Sequence, residues 1–294
     1  MYKSNYLILF LICNLLVNSL FSKSWQEIFN EKEIILNDNS YNIIKGQYKT
    51  VIANQSLVIA CAQIKKINIK ECDEDLIDIK LMNNPRIEML PNDLNKKPFA
   101  SADCNSGLPS ASKMRLTLWN KLQTMIEALD ELAENFGYKK GKICIRVFEG
   151  LRDLETQAKL FKNKFNEIKN LNKSLSDQEL ELETSKWVAP VKNNVPPHST
   201  GAAIDIRLWN NETNDFVDLG KFGVIWGTNP CAPTFSENIT DEQKLNRLYL
   251  LMAAAKAGLI NYSYEYWHFS FGDRYAVYWT QKDELKRYAI YGSK

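Results

Sequence analysis

Between Leu118 and Phe136 the apolar residues fall at intervals of three and four: Leu118, Leu122, Met125, Ile126, Leu129, Leu132, Ala133 and Phe136. That spacing lines one face of an α-helix, so the stretch must lie against a core, and Gly137 supplies its stop. Directly after it, Lys142 to Phe148 reads KICIRVF, a short apolar run suited to a buried strand. Asp153 to Phe165 reads as a second helix, opened by Asp153 and Glu155 whose carboxylates suit the positive helix end. Thr240-Asp-Glu-Gln243 is a capping box ahead of a longer helix, which carries Leu245, Leu248, Leu250, Leu251 and Ala254 to a stop at Gly258. Ser174 to Lys186 is a charged helical patch, expected to present a solvated face. Helices and strands mix without a regular βαβ alternation and without an internal repeat. The expected class is therefore α+β, a small mixed or antiparallel sheet flanked by helices.

The chain ahead of this pattern divides in two. Tyr6 to Phe21, YLILFLICNLLVNSLF, follows Lys3 and precedes Ser22-Lys23-Ser24, the layout of a secretory signal peptide over residues 1–22. The run is shorter than the roughly 20 residues that span a bilayer comfortably, so no stable membrane insertion is expected once the leader is cleaved. An exported protein of the periplasm or cell envelope follows from that reading. Residues 23–74 form an N-terminal extension in which Ser56-Leu-Val-Ile-Ala60 and Ile67-Asn-Ile-Lys70 suggest short strands between turns. Leu94 to Ser112, with Pro98, Gly107 and Pro109, reads as a loop. Cleavage would remove Cys13 and leave Cys61, Cys72, Cys104, Cys144 and Cys231, enough for two disulfides with one thiol over. No C-x-x-C pair occurs, which argues against a cysteine-built zinc site. Cys144 sits in an apolar run as a small hydrophobe.

Charge excludes one class of partner. Lys+Arg 37 against Asp+Glu 35 leaves a formal charge of +2, so no field of one sign marks a nucleic-acid binder. The scarcest chemistry-bearing residue is histidine: the chain has 2, His198 and His268. His198 lies in Pro196-Pro-His-Ser-Thr-Gly-Ala-Ala-Ile-Asp-Ile-Arg-Leu208, where Ala202 to Leu208 reads as a strand. Ala203, Asp205 and Arg207 then share one face while Ile204, Ile206 and Leu208 pack behind. A carboxylate on so apolar a strand calls for a cationic partner. His198, arriving over the Ser199-Thr200-Gly201 turn, can reach the same point.

His268 closes the aromatic run Tyr262-Ser-Tyr-Glu-Tyr-Trp-His-Phe-Ser270, whose single carboxylate is Glu265. Residues three apart on a regular strand face opposite ways, so Glu265 and His268 converge only through a bulge or twist. Two neutral imidazoles and one carboxylate are a typical catalytic zinc set with a fourth position left for water. A second carboxylate outside that set must take the water's proton, and Glu265 is the candidate.

His198-x-x-Gly201-x-Ala203-x-Asp205 followed by Glu265-x-Trp267-His268 resembles the signature of the zinc D-alanyl-D-alanine dipeptidases of the vancomycin-resistance type and their D,D-carboxypeptidase relatives. The likeness extends to Arg152 in Glu149-Gly-Leu-Arg-Asp-Leu-Glu-Thr-Gln157, to Asn246-Arg-Leu-Tyr-Leu-Leu251 through Gly258, and to Tyr288-Ala-Ile-Tyr-Gly292. It covers roughly residues 75–292, so residues 75–294 are expected to form a zinc peptidase domain around a metal cleft. The resemblance implies one Zn²⁺ on His198, Asp205 and His268, Glu265 as general base and then acid, and Arg152 facing the oxyanion. It implies a small peptide or peptidoglycan substrate and the hydrolysis of D-alanyl-D-alanine. Without it, Arg152 reads as a surface arginine at a helix start.

Three departures bear on the substrate. The family usually has Ser two residues before the first histidine, where this chain has Pro196, and its Tyr-Arg-Pro pattern is Leu151-Arg152-Asp153 here. After Leu219-Gly220, where the dipeptidases carry an acid that grips the free amine, this chain reads Lys221-Phe-Gly-Val-Ile-Trp226. A D,D- or L,D-carboxypeptidase or endopeptidase on peptidoglycan stems is the alternative within the class. A non-catalytic wall-peptide binder is the alternative outside it, and Glu265 and Arg152, which mere binding would not require, argue against it.

Overall fold

A computed structural model describes residues 22–33, 39–90, 109–222 and 229–294. Eight helices are present among them: α1 (Trp25–Lys32), α2 (Asn39–Ile52), α3 (Ala62–Lys65), α4 (Leu116–Leu132), α5 (Leu154–Leu171), α6 (Asp177–Ser185), α7 (Asp241–Lys256) and α8 (Arg274–Thr280). Ten short strands accompany them: β1 (Asn68–Ile69), β2 (Leu76–Asp78), β3 (Ile87–Met89), β4 (Lys113–Arg115), β5 (Ile143–Glu149), β6 (Ala203–Asn210), β7 (Asp215–Phe216), β8 (Ile260–Tyr262), β9 (Glu265–Ser270) and β10 (Tyr288–Ala289). The main sheet runs β3-β5-β6-β9-β8, with β7 on β6; β3 and β5 are parallel and the other pairs antiparallel. This is an α+β fold with a mixed sheet.

The apolar spacings account for the core. Leu118, Leu122, Met125 and Leu129 of α4 are fully buried and share one cluster with Ile145 and Val147 of β5 and Ile204, Ile206 and Leu208 of β6. Helix α7 sits at the centre, packed on α4, α2, α1 and β8, so even its polar residues Lys244, Asn246 and Arg247 are buried. Its capping box forms as the sequence implies, Thr240 accepting from the Gln243 N–H and Gln243 accepting from the Thr240 N–H. Ser176 and Glu179 cap α6 in the same way.

The N-terminal extension differs from expectation. It is helical over Trp25–Lys32 and Asn39–Ile52, not strand-rich; Ser56 to Ala60 is turn and loop, and Ile67 to Lys70 contributes only the two-residue β1. The cause is tertiary. Trp25, Ile28 and Phe29, then Tyr41, Ile44 and Tyr48, recur at helical spacing and enter the same core as α7. Four cysteines, Cys61, Cys72, Cys144 and Cys231, carry free thiols, and Cys104 lies outside the described residues. So do residues 1–21 of the leader, most of the 94–112 segment and residues 223–228. Among the described residues no helix is long and apolar enough to cross a membrane.

Candidate active site

His198 stands on a short 3₁₀ turn, Pro197–Thr200, closed by Gly201 at φ 70°, a left-handed conformation that glycine adopts without strain. The turn is held from behind. Arg115 of β4 donates from Nε to the Thr200 carbonyl at 2.8 Å, and the backbone N–H of Lys294 donates to the Ser199 carbonyl at 2.8 Å. The His198 ring is fixed by Gly150, whose carbonyl lies 2.8 Å from Nδ1. Placing the proton there turns the lone pair of Nε2 inward. Gly150 is required for that approach, since a Cβ at this position would stand 2.4 Å from the Lys113 carbonyl oxygen.

Asp205 projects from β6, where Ile204 and Ile206 point into the core as alternation demands. It lies directly opposite His268 in the β6–β9 ladder. Asp205 Oδ1 is 3.0 Å from His268 Nδ1 and 3.3 Å from His198 Nε2, and the two imidazole nitrogens are 3.0 Å apart. Three lone-pair-bearing atoms thus form a near-equilateral triangle. Ligand atoms about 2.0–2.1 Å from a tetrahedral Zn²⁺ stand roughly 3.3 Å from one another, so the triangle fits one face of such a site. The donor set fits too: it is the one metal-compatible His, Cys, Asp and Glu cluster among the described residues. With its proton toward Gly150, His198 presents the Nε2 lone pair to Asp205 and His268, as a metal ligand must. His268 Nε2 is buried with no hydrogen-bond partner, which marks it as the ring's outward nitrogen.

Glu265 begins β9 and is buried. The bulge it needs is present: the β8–β9 register shifts between Asn261, opposite Phe269, and Tyr262, opposite Glu265. Burial raises the Glu265 carboxyl well above its usual range, and the negative charge of Asp205 raises it further while Arg152 opposes. Burial alone would raise Asp205 too, but the two imidazoles outweigh it and hold Asp205 well below the usual range. Burial lowers His268, whereas the Asp205 charge overcomes burial at His198 and raises it.

Arg152 is buried, not the surface residue that its position at a helix start suggests on its own. Its Nε and Nη2 donate to the two carboxylate oxygens of Glu149 at 2.8 and 2.6 Å, and Nη1 donates to Gln157 Oε1 at 2.9 Å. Burial disfavours its charge, yet the Glu149 carboxylate more than offsets this and raises the guanidinium pKa. Two of its five N–H donors remain outside these bonds, and Asp205 and Glu265 both feel its charge.

A family model described as D-ala-D-ala dipeptidase (Peptidase_M15) matches residues 111–286, more than half of the chain. The chain belongs to this family. Three solved structures are similar at low identity. A VanY D,D-pentapeptidase from a VanB-type vancomycin-resistance cassette, in complex with Zn(II), is 16% identical over 54% of this chain and 72% of its own, with a TM-score of 0.32. VanYB in complex with D-alanine-D-alanine is 17% identical over 56% and 75%, TM-score 0.33. The LdcB LD-carboxypeptidase is 17% identical over 70% and 72%, TM-score 0.35. Comparison with curated proteins gives no significant match.

Within this family member the structure brings His198, Asp205 and His268 into contact, with Glu265 and Arg152 in electrostatic reach. Sequence reasoning passed over Glu149, which sits opposite Asp205 at a break in the β5–β6 register and orients Arg152. Its signal was present: a lone acid closing an apolar strand three residues before an arginine. Asn261, within the β8–β9 bulge, was also missed. The Lys221-to-Trp226 segment falls largely outside the described residues, although Lys221 itself is described and exposed.

Proposed function

We propose that this protein is an exported, zinc-dependent peptidase that hydrolyses D-alanyl-D-alanine in cell-wall peptide metabolism. The convergence of His198 Nε2, Asp205 Oδ1 and His268 Nδ1 within 3.3 Å of one another carries the reading, in a chain of this family. His198, Asp205 and His268 would hold one Zn²⁺, which when bound acidifies a water and polarises a scissile carbonyl. Glu265, kept basic by burial, takes the attacking water's proton on its carboxylate and returns it to the leaving amine. Arg152, held rigid by Glu149 and Gln157, offers its remaining N–H groups to the oxyanion. Residues 1–22 are removed on export and 75–294 form the peptidase domain. A D,D- or L,D-carboxypeptidase acting on stem peptides is favoured by one observation: Lys221 follows Leu219-Gly220 where the dipeptidases carry an amine-binding acid.

The test is turnover by the zinc-loaded mature protein, wild type against Glu265→Ala, on D-Ala-D-Ala, a stem pentapeptide and intact peptidoglycan. Free D-Ala from the dipeptide, lost in Glu265→Ala, is the expected result. Release from the pentapeptide alone selects the carboxypeptidase, and no turnover of any substrate leaves a binding protein.

A further inference from the structure

Strand β9 carries both Glu265 and His268, and it can present them together only by giving up its ladder to β8. Tyr266, Trp267 and His268 lie between the residues opposite Tyr262 and Asn261, yet no residue of β8 lies between those two. Buried carbonyls on that stretch therefore lose their strand donors, a loss that a fold must make good. One side chain does so. The Asn261 amide Nδ2 donates to the carbonyls of Glu265, Tyr266 and His268 at 3.1, 3.3 and 3.0 Å. Its own orientation is fixed from the other side, where Thr234 Oγ1 lies 2.6 Å from Asn261 Oδ1.

The supports of Asn261 come from outside the strand. Thr234 stands on a loop gripped by the buried Arg247, which donates to the carbonyls of Cys231, Pro233 and Thr234 at 2.6, 2.7 and 3.0 Å. From the N-terminal extension, ahead of the family-matched residues, Gln47 of α2 donates to the Asn261 backbone carbonyl at 2.8 Å. Trp25 of α1 donates to the Ser236 carbonyl at 2.9 Å on the same loop. All four side chains are buried, and none carries chemistry that the proposed reaction uses.

We propose that Asn261 is a positioning residue whose amide holds the bulge that brings Glu265 to the side where His268 meets Asp205, and anchors the His268 carbonyl, and that the N-terminal extension braces it through Gln47. This rests on reading His198, Asp205 and His268 as metal ligands. Without the amide, the segment reverts toward regular pairing, in which residues three apart face opposite sides. Glu265 would then turn away from the face on which His268, opposite Asp205 on β6, meets its partners, and the His268 backbone would lose the donor at its carbonyl.

Thr234→Val removes the hydroxyl that aims the amide while keeping its shape, and Thr234→Ser keeps the hydroxyl. Asn261→Asp keeps the shape of Asn261 and removes its donors. The readouts are the zinc dissociation constant, by competition with a chromophoric chelator, and amide hydrogen exchange of residues 264–269 in chelator-treated protein. Thr234→Val and Asn261→Asp are expected to weaken zinc binding about 10–100-fold, as loss of a ligand's support typically does. They should also speed exchange in 264–269 before any metal is added, and Thr234→Ser should restore both. Gln47→Leu should speed exchange of the same segment to a smaller extent. Unchanged zinc affinity and exchange in Thr234→Val and Asn261→Asp would overturn the positioning role, even if their melting temperatures fell. Unchanged exchange in Gln47→Leu would overturn the bracing by the extension. If wild type binds zinc but cleaves no peptide, the proposed function fails while these readouts still decide on Asn261; if it binds no zinc, exchange alone decides.

Discussion

Strand β6 carries Asp205 with no extra residue of its own, the break opposite it falling on β5 between Val147 and Glu149, whereas β9 carries the extra residues itself, between Glu265 and Phe269 on its β8 side. On β6 alternation does the placing: Ile204 and Ile206 are anchored in the core, and Asp205 has no choice but the opposite face. His198 is set chiefly by backbone, through the Gly150 carbonyl and the Gly201 turn, with the Arg115 guanidinium bracing that turn. On β9 the β6 ladder sets His268 opposite Asp205, while Glu265 lies across a gap in the β8 ladder that a side chain, Asn261, fills. The contrast teaches that a site residue on a regular strand inherits its position from hydrophobic patterning. One on a bulge needs a polar support that patterning does not reveal.

The largest effect expected at a residue on neither strand is that of Arg152→Ala. Removing one oxyanion donor typically costs about 10²–10³ in kcat. Zinc content should be unchanged, because Arg152 is outside the triangle on both strands. Steady-state rates paired with metal analysis check this, and lost zinc would tie Arg152 to the support of the β6 side instead.

Gly150→Ala probes the backbone-built half. The added Cβ would press on the Lys113 carbonyl, and the carbonyl that holds His198 must move with it. Overpacking of this kind costs about 1–3 kcal/mol. Denaturant unfolding should show that loss together with weaker zinc binding; stability lost with zinc affinity intact would mean that His198 does not depend on Gly150.

Asp273→Asn gives the smallest effect and probes the end of β9, where Ser270 Oγ donates to Asp273 Oδ1 at 3.0 Å. Burial raises the Asp273 carboxyl to about 6 from an ordinary 3.8. A carboxylate raised on folding lowers stability at pH values above its folded pKa, and that penalty fades as pH falls through 6 toward 4. The shift corresponds to about 3 kcal/mol. Asn restores part of the cap but not its charge-assisted bonds to Ser270 and to the Ala276 N–H, so the net gain is about 1 kcal/mol at pH 8. Thermal melts should show the variant more stable at pH 8 and no more stable than wild type at pH 4. A constant difference across that range would mean that Asp273 does not titrate as its burial implies.

Much of this was legible in the residues. The α4 stripe, the caps of α6 and α7 and the β5 and β6 runs needed only periodicity and cap chemistry. His198 and Asp205 could be placed together because a turn and an alternating strand leave few alternatives. Glu265 and His268 needed a bulge that their spacing demands but cannot supply. The residue that fills it, Asn261, reads in sequence as an ordinary polar position before a turn. The extension does not follow its local signals, because the β-branched runs at residues 56–60 and 67–70 favour strands, while burial of Trp25, Phe29, Tyr41 and Tyr48 against α7 makes its larger part helical. Ser24 and Glu27, a capping box, were the overlooked signal.

The central claim is that the two unlike strands meet at one metal. Anomalous diffraction at the zinc edge, on crystals of zinc-loaded protein, tests it most directly. One peak per chain should lie within bonding distance of His198 Nε2, Asp205 Oδ1 and His268 Nδ1. Zinc bound elsewhere, or no peak while those three atoms remain hydrogen-bonded to one another, would contradict it.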